Sequence, residues 1–138
     1  MVLKIVLYSG LFCLSITDLI NHKIPDVILF SIFLISFVLL ISTDYFSIFI
    51  RTIISLFFFI IFYIIANYSK GLGFGDVKLL FVTSFCTGFF HTIVAVLYAC
   101  IFGIAYIMLF QKEKLKIAFC PFISLGYLIS EFVGVLTI

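Results

Sequence analysis

Two carboxylates stand where an otherwise apolar chain turns polar. Asp18 closes a hydrophobic run that begins at Val2, and Asp76 opens another, after Lys70-Gly71-Leu72-Gly73-Phe74-Gly75. An ionisable group inside an apolar span is costly and is a functional candidate by default. Two carboxyl groups brought within a few ångström of each other do not both ionise easily, so they share a proton. The ionised one can then act as general base towards water while its protonated partner polarises a carbonyl. That is the chemistry of an aspartyl protease. Each acid also has a plainer reading. Asp18 could reach headgroup water or pair with Lys23. Asp76 suits a helix N-cap, where its charge meets the positive end of the dipole. A cap does not need the glycines before it, and these tilt the balance towards function.

The elements that must position these acids are helices in lipid. Of 138 residues, 66% are hydrophobic and 10% charged, far from the composition of a soluble domain. The length suits one domain, residues 1–138, all-α and embedded in a membrane. Six transmembrane helices are expected. The first runs from about Val2 to Ile20, and with no small-residue cleavage site after Gly10 it reads as a permanent helix and not a signal peptide. The second runs from about Pro25 to Ile41, Pro suiting a first turn because its missing N–H would be unpaired there anyway. The third spans about Phe46 to Ala66. The fourth begins near Val77 and breaks weakly at Gly88-Phe89-Phe90-His91, and the fifth ends near Phe110. These two share a run that gives each roughly 15 to 17 residues, short for a full span. The sixth runs from about Phe119 to Leu136, with Pro121 in its first turn.

Six helices put both termini on one side. Lys23, Lys70, Lys78, Lys112, Lys114 and Lys116 fall at one set of helix ends, and Lys4 and Arg51 at the other. The lysine-rich ends should be cytoplasmic, which leaves both termini external. Asp18 and Asp76 then share the cytoplasmic depth.

The remaining polar groups have structural readings. Asp26 suits the first-turn dipole of the second helix. Asp44 reads as a turn residue, His22 as a solvated loop residue and His91 as interfacial. Glu131, inside the sixth helix on its outward half, should pair with Lys4 or Arg51. Lys78 does not face Asp76, two residues earlier on the same helix. It is expected to contact lipid phosphate or substrate backbone. Cys13, Cys86, Cys100 and Cys120 form no CxxC pair and pack as small hydrophobes. Clustered metal ligands are absent, so no metal is expected, and no basic patch points to nucleic acid.

Gly73-Phe74-Gly75-Asp76, followed by Lys78-Leu79, resembles the GxGD motif of type IV prepilin peptidases, which are intramembrane aspartyl proteases. Asp18 with Ile24-Pro25-Asp26 is similar to that family's first-aspartate pattern. Pro121-Phe122 with Leu125-Gly126 is similar to its closing segment. The resemblance runs over essentially the whole chain. It implies that Asp18 and Asp76 are the catalytic pair, with Gly73, Gly75, Lys78, Pro25 and Pro121 as motif or substrate-side residues. It implies cleavage of the basic leader of prepilin-like precursors at the cytoplasmic face of the inner membrane, with the precursor's hydrophobic helix alongside in the bilayer. Neither cofactor nor metal is implied. The chain lacks the extra N-terminal helices and the paired-cysteine loop of longer members, and nothing suggests a site for S-adenosylmethionine. Proteolysis without methylation is therefore expected. Two rivals use the same residues differently. A proton- or cation-coupled transport subunit should carry its acids near mid-membrane, facing broken helices. A non-catalytic assembly factor should tolerate Asn at either aspartate.

Overall fold

A computed structural model describes residues 2–21, 24–41, 45–69, 73–110 and 119–136. These residues form six helices: α1 (Val2–Asn21), α2 (Asp26–Ile41), α3 (Tyr45–Ser69), α4 (Phe74–Thr87), α5 (Phe89–Phe110) and α6 (Cys120–Leu136). Among the described residues, three stretches are long and apolar enough to cross a membrane: Val2–Asn21, Tyr45–Tyr68 and Phe89–Leu109. α2 and α6 are shorter apolar helices. Large side chains such as Phe12, Val27, Phe46, Met108 and Leu109 stand exposed around the outside. Such a surface belongs against lipid, because water-soluble monomers rarely expose apolar patches of this extent.

The helices alternate in direction, so the bundle has two chemically distinct ends. At one, Asp26 pairs with Lys78 (2.8 Å) and Asp18 meets the start of α6. At the other, Lys4 pairs with Glu131 at 2.7 Å, as the sequence suggests. Arg51 does not join that pair. Its Nη1 donates to the carbonyls of Cys86 (2.6 Å) and Phe85 (3.4 Å) at the C-terminus of α4. A cation there satisfies orphan carbonyls and meets the negative end of the helix dipole. His91 lines a cavity of about 250 Å³ at this end, together with Lys4, Arg51, Cys86, Thr87 and Glu131.

α4 is the centre of the molecule, packed against α1, α2, α3 and α5, while α6 closes the bundle against α5 and α1. Val77, Leu79, Leu80, Val82 and Phe85 are buried on several faces of α4, as a central helix requires. Its polar residues are satisfied internally. Thr83 and Ser84 donate to carbonyls of their own helix, and Tyr127 of α6 donates to Thr83 at 2.9 Å. At Gly88, φ is +85°, a conformation that glycine adopts without a Cβ penalty, and its N–H donates to Ser84. This break is sharper than expected, and the division is unequal, with 14 residues in α4 and 22 in α5. Gly126 lets α6 approach α5 closely, since a Cβ there would collide with the backbone carbonyl of Ala95. Cys86 and Cys120 are buried, Cys13 and Cys100 exposed, and all four are free thiols.

Candidate active site

Leu7, Leu11 and Leu14 form the buried stripe of α1, and Asp18 is the next position on it. Residues spaced by three and four share one helix face, so the leucines that anchor α1 also carry Asp18 into the interior. Only 6% of Asp18 is exposed. Its Oδ2 accepts the backbone N–H of Cys120, the first residue of α6, at 3.2 Å. One turn earlier Ser15, also buried, donates to the Leu11 carbonyl at 2.7 Å. Its hydroxyl lies 3.1 Å from Ser124 of α6 and 3.9 Å from the Cys120 thiol.

Asp76 enters from α4. The helix starts at Phe74 and not at Val77, so Gly73 is the N-cap and Asp76 falls within the first turn. The N-cap reading of Asp76 is therefore corrected. Instead, its carboxyl folds back over Gly73. An acid three residues after the cap reaches back in this way in a capping box. A Cβ at residue 73 would stand 3.2 Å from Asp76 Oδ2, so Gly73 leaves the carboxyl its place. Gly75 performs a different task. A Cβ there would stand 3.2 Å from Ile24 Cβ, immediately before Pro25. The chain leading into α2 thus seats against the start of α4.

The two acids come from helices distant in sequence and meet at one end of the bundle, close enough for their carboxyl groups to interact electrostatically. The Cys120 thiol lies within the same electrostatic reach of both. Lys78 stands apart from them. Its Nζ bonds Asp26 Oδ1 at 2.8 Å in an exposed ion pair and lies 5.3 Å from the Phe74 ring centre. Asp26 and Lys78 also edge a groove of about 420 Å³ between α2, α3 and α4, whose floor is Leu29, Phe33, Phe81 and Val82. Pro25 precedes α2, and its carbonyl accepts the N–H groups of Ile28 and Leu29. Pro121 occupies the first turn of α6, beside Cys120. His22, Lys23, Asp44, Lys70, Gly71 and Leu72 lie outside the described residues.

A profile of the type IV leader peptidase family matches residues 5–108, a stretch that holds both aspartates, Pro25, Gly73, Gly75 and Lys78. The chain belongs to the type IV leader peptidase family. α6 lies beyond the matched residues, so the resemblance at Pro121-Phe122 and Leu125-Gly126 rests on the sequence alone. No curated protein and no solved structure matches the chain. Sequence reasoning gave Cys120 only a packing role and read Ile24 only as part of the Ile24-Pro25-Asp26 motif, whereas the N–H of Cys120 bonds Asp18 and Ile24 seats against Gly75, next to Asp76. One signal for Cys120 was present: it directly precedes Pro121, a residue favoured in first turns, and so marks a helix start.

Proposed function

We propose that this member of the leader peptidase family is an intramembrane aspartyl endopeptidase, with Asp18 and Asp76 as its catalytic pair. The observation that carries the reading is the meeting of these two carboxyls, one buried under α6 and one at the start of α4, at a single end of an apolar bundle. In so apolar a setting the pair holds one proton between its members. The ionised carboxyl takes a proton from water, and the hydroxide equivalent adds to the scissile carbonyl. The protonated carboxyl donates to the carbonyl oxygen, and collapse of the tetrahedral adduct expels the amine with a proton from the pair. No metal or cofactor takes part in this scheme. The substrate is a prepilin-like precursor, its basic leader at the cytoplasmic face and its apolar helix in the bilayer.

Asn cannot exchange a proton at working pH. Asp18→Asn and Asp76→Asn should each lower precursor cleavage by ~10² to 10⁴ or more, and the double variant should be little worse, because groups acting as a unit are lost together. Activity should fall on both sides of a pH optimum, with apparent pKa values that belong to the pair. Asp26→Asn should retain most activity, since it breaks only an exposed ion pair. Cleavage of a co-reconstituted precursor by each purified, folded variant is the measurement. Substantial turnover by either single aspartate variant ends this reading.

A further inference from the structure

The first turn of α6 has an unusual account of its N–H groups. The opening residues of a helix carry donors with no partner in the helix itself. Pro121 has no N–H. Those of Phe122 and Ile123 both go to the carbonyl of Phe119, each at 3.1 Å. The N–H of Cys120 is left, and it goes to Asp18 Oδ2 at 3.2 Å. Asp18 has need of it. It sits in the last turn of α1, whose carbonyl-rich end disfavours a negative charge. It is also nearly sealed from water and faces a second carboxyl on α4. The start of α6 presents the opposite pole, and Ile123 and Tyr127, fully buried on the same helix, hold that start in place.

We infer that the backbone N–H of Cys120 is a positioning donor for the aspartate pair, fixing the Asp18 carboxyl and stabilising the singly ionised state of the pair. The inference rests on the reading of Asp18 and Asp76 as the catalytic groups, and it adds a role for α6, which lies outside the stretch matched by the family. The thiol is not the active part. What matters is an amide at residue 120 ahead of a residue that has none. The groups facing Asp18 are Asp76 from α4 and the Cys120 thiol from α6. Asp26 of α2 and Lys78 of α4 are tied to each other.

The test compares Cys120→Pro, which removes the N–H, with Cys120→Ala, which keeps it. Proline is tolerated at a first helical position, so the fold should survive. Cys120→Pro should move the acidic limb of the pH–rate profile up by roughly one pH unit, a tenfold change in the ionisation constant, because the charged form of the pair loses a charge-assisted hydrogen bond. The turnover number kcat should fall about tenfold or more, with KM nearly unchanged. Cys120→Ala keeps the N–H and should leave the acidic limb where the parent has it. In parallel, the carboxyl infrared band of each protein is titrated in nanodiscs, which needs no substrate. A shifted band titration in Cys120→Pro alone supports the donor even if no variant, parent included, cleaves a precursor; that outcome would sink the protease reading and spare this one. An unshifted titration in Cys120→Pro, or an equal shift in Cys120→Ala, overturns it. If Cys120→Pro does not fold, an ester in place of the amide at residue 120 removes the same N–H with the side-chain volume of Ala, and the same two outcomes decide.

Discussion

Ile24 Cβ lies 3.2 Å from the point where any residue other than glycine at position 75 would place its own Cβ. One contact thus joins the two motifs that bear the aspartates, the loop after Asp18 and the turn before Asp76. The neighbouring glycine is constrained differently: at residue 73 the crowded atom is Oδ2 of Asp76 itself. Substitutions at the two positions should therefore fail in different ways. Gly73→Ala asks only that a carboxyl rotate, so the fold should persist while cleavage is largely lost. Gly75→Ala asks that the α1–α2 connection move, and overpacking of this kind costs typically about 1–3 kcal/mol. Thermal unfolding in detergent, paired with cleavage by the folded fraction, separates them. A Gly73→Ala protein that cleaves normally would show that the position of the Asp76 carboxyl is not set by this space.

The ion pair at the other end should matter little to chemistry. Lys4 and Glu131 meet at 2.7 Å, yet the lysine side chain is 60% exposed. Exposed pairs are worth roughly 0 to 1 kcal/mol. Glu131→Gln should lower stability by no more than that and leave cleavage by the folded protein nearly intact. A double-mutant cycle with Lys4→Gln gives the coupling directly. Loss of cleavage at normal stability would move Glu131 into the mechanism.

Arg51 should prove more costly to remove than either member of that pair. Its guanidinium serves the final carbonyls of α4, the helix that presents Asp76 from its other end. Arg51→Met leaves the Cys86 carbonyl without this donor, and an unsatisfied buried acceptor costs about 1–3 kcal/mol. The melting temperature should fall in proportion. Cleavage measured well below the melt should remain, because the aspartate end is untouched. An unchanged melt would mean that water takes over the cap.

Much of this architecture is legible in the residues, and the exceptions share a cause. Helix ends fall within a few residues of those expected because Pro25, Gly88 and Pro121 punctuate the chain chemically. Asp18 could be placed more firmly than its position alone allows. It continues the spacing of Leu7, Leu11 and Leu14, and so must share their buried face. The start of α4 differs from the expected Val77 because its glycines look like loop, whereas Gly75 is helical and is small on account of Ile24. The spacing along α4 says nothing of the partner of Lys78, because Asp26 belongs to another helix. The same is true of Cys120 and Asp18. Periodicity along one helix says which face is buried, and it is silent on which backbone will meet that face.

The orientation of the bundle gives the last prediction. Asp18, Asp26, Asp76 and Lys78 lie at one end and Lys4, Arg51 and Glu131 at the other. The remaining lysines, Lys23, Lys70, Lys112, Lys114 and Lys116, fall between α1 and α2, between α3 and α4, and between α5 and α6. With the helices alternating in direction, the described helix ends that flank these lysines in sequence belong to the aspartate end. Loop lysines and arginines are retained on the cytoplasmic side during insertion, and carboxylates count for little in that choice. The aspartate end should therefore face the cytoplasm, where the basic leader of a precursor would also be held, and both chain termini should face out. Reporter fusions after Lys70 and after Lys114 should read cytoplasmic, and a fusion after Ile138 external. Neutralising Lys112, Lys114 and Lys116 together should weaken the bias without touching the aspartates. A cytoplasmic C-terminus in the parent protein would put Asp18 and Asp76 on the far face of the membrane, and leader cleavage on the cytoplasmic side would then be impossible for this pair.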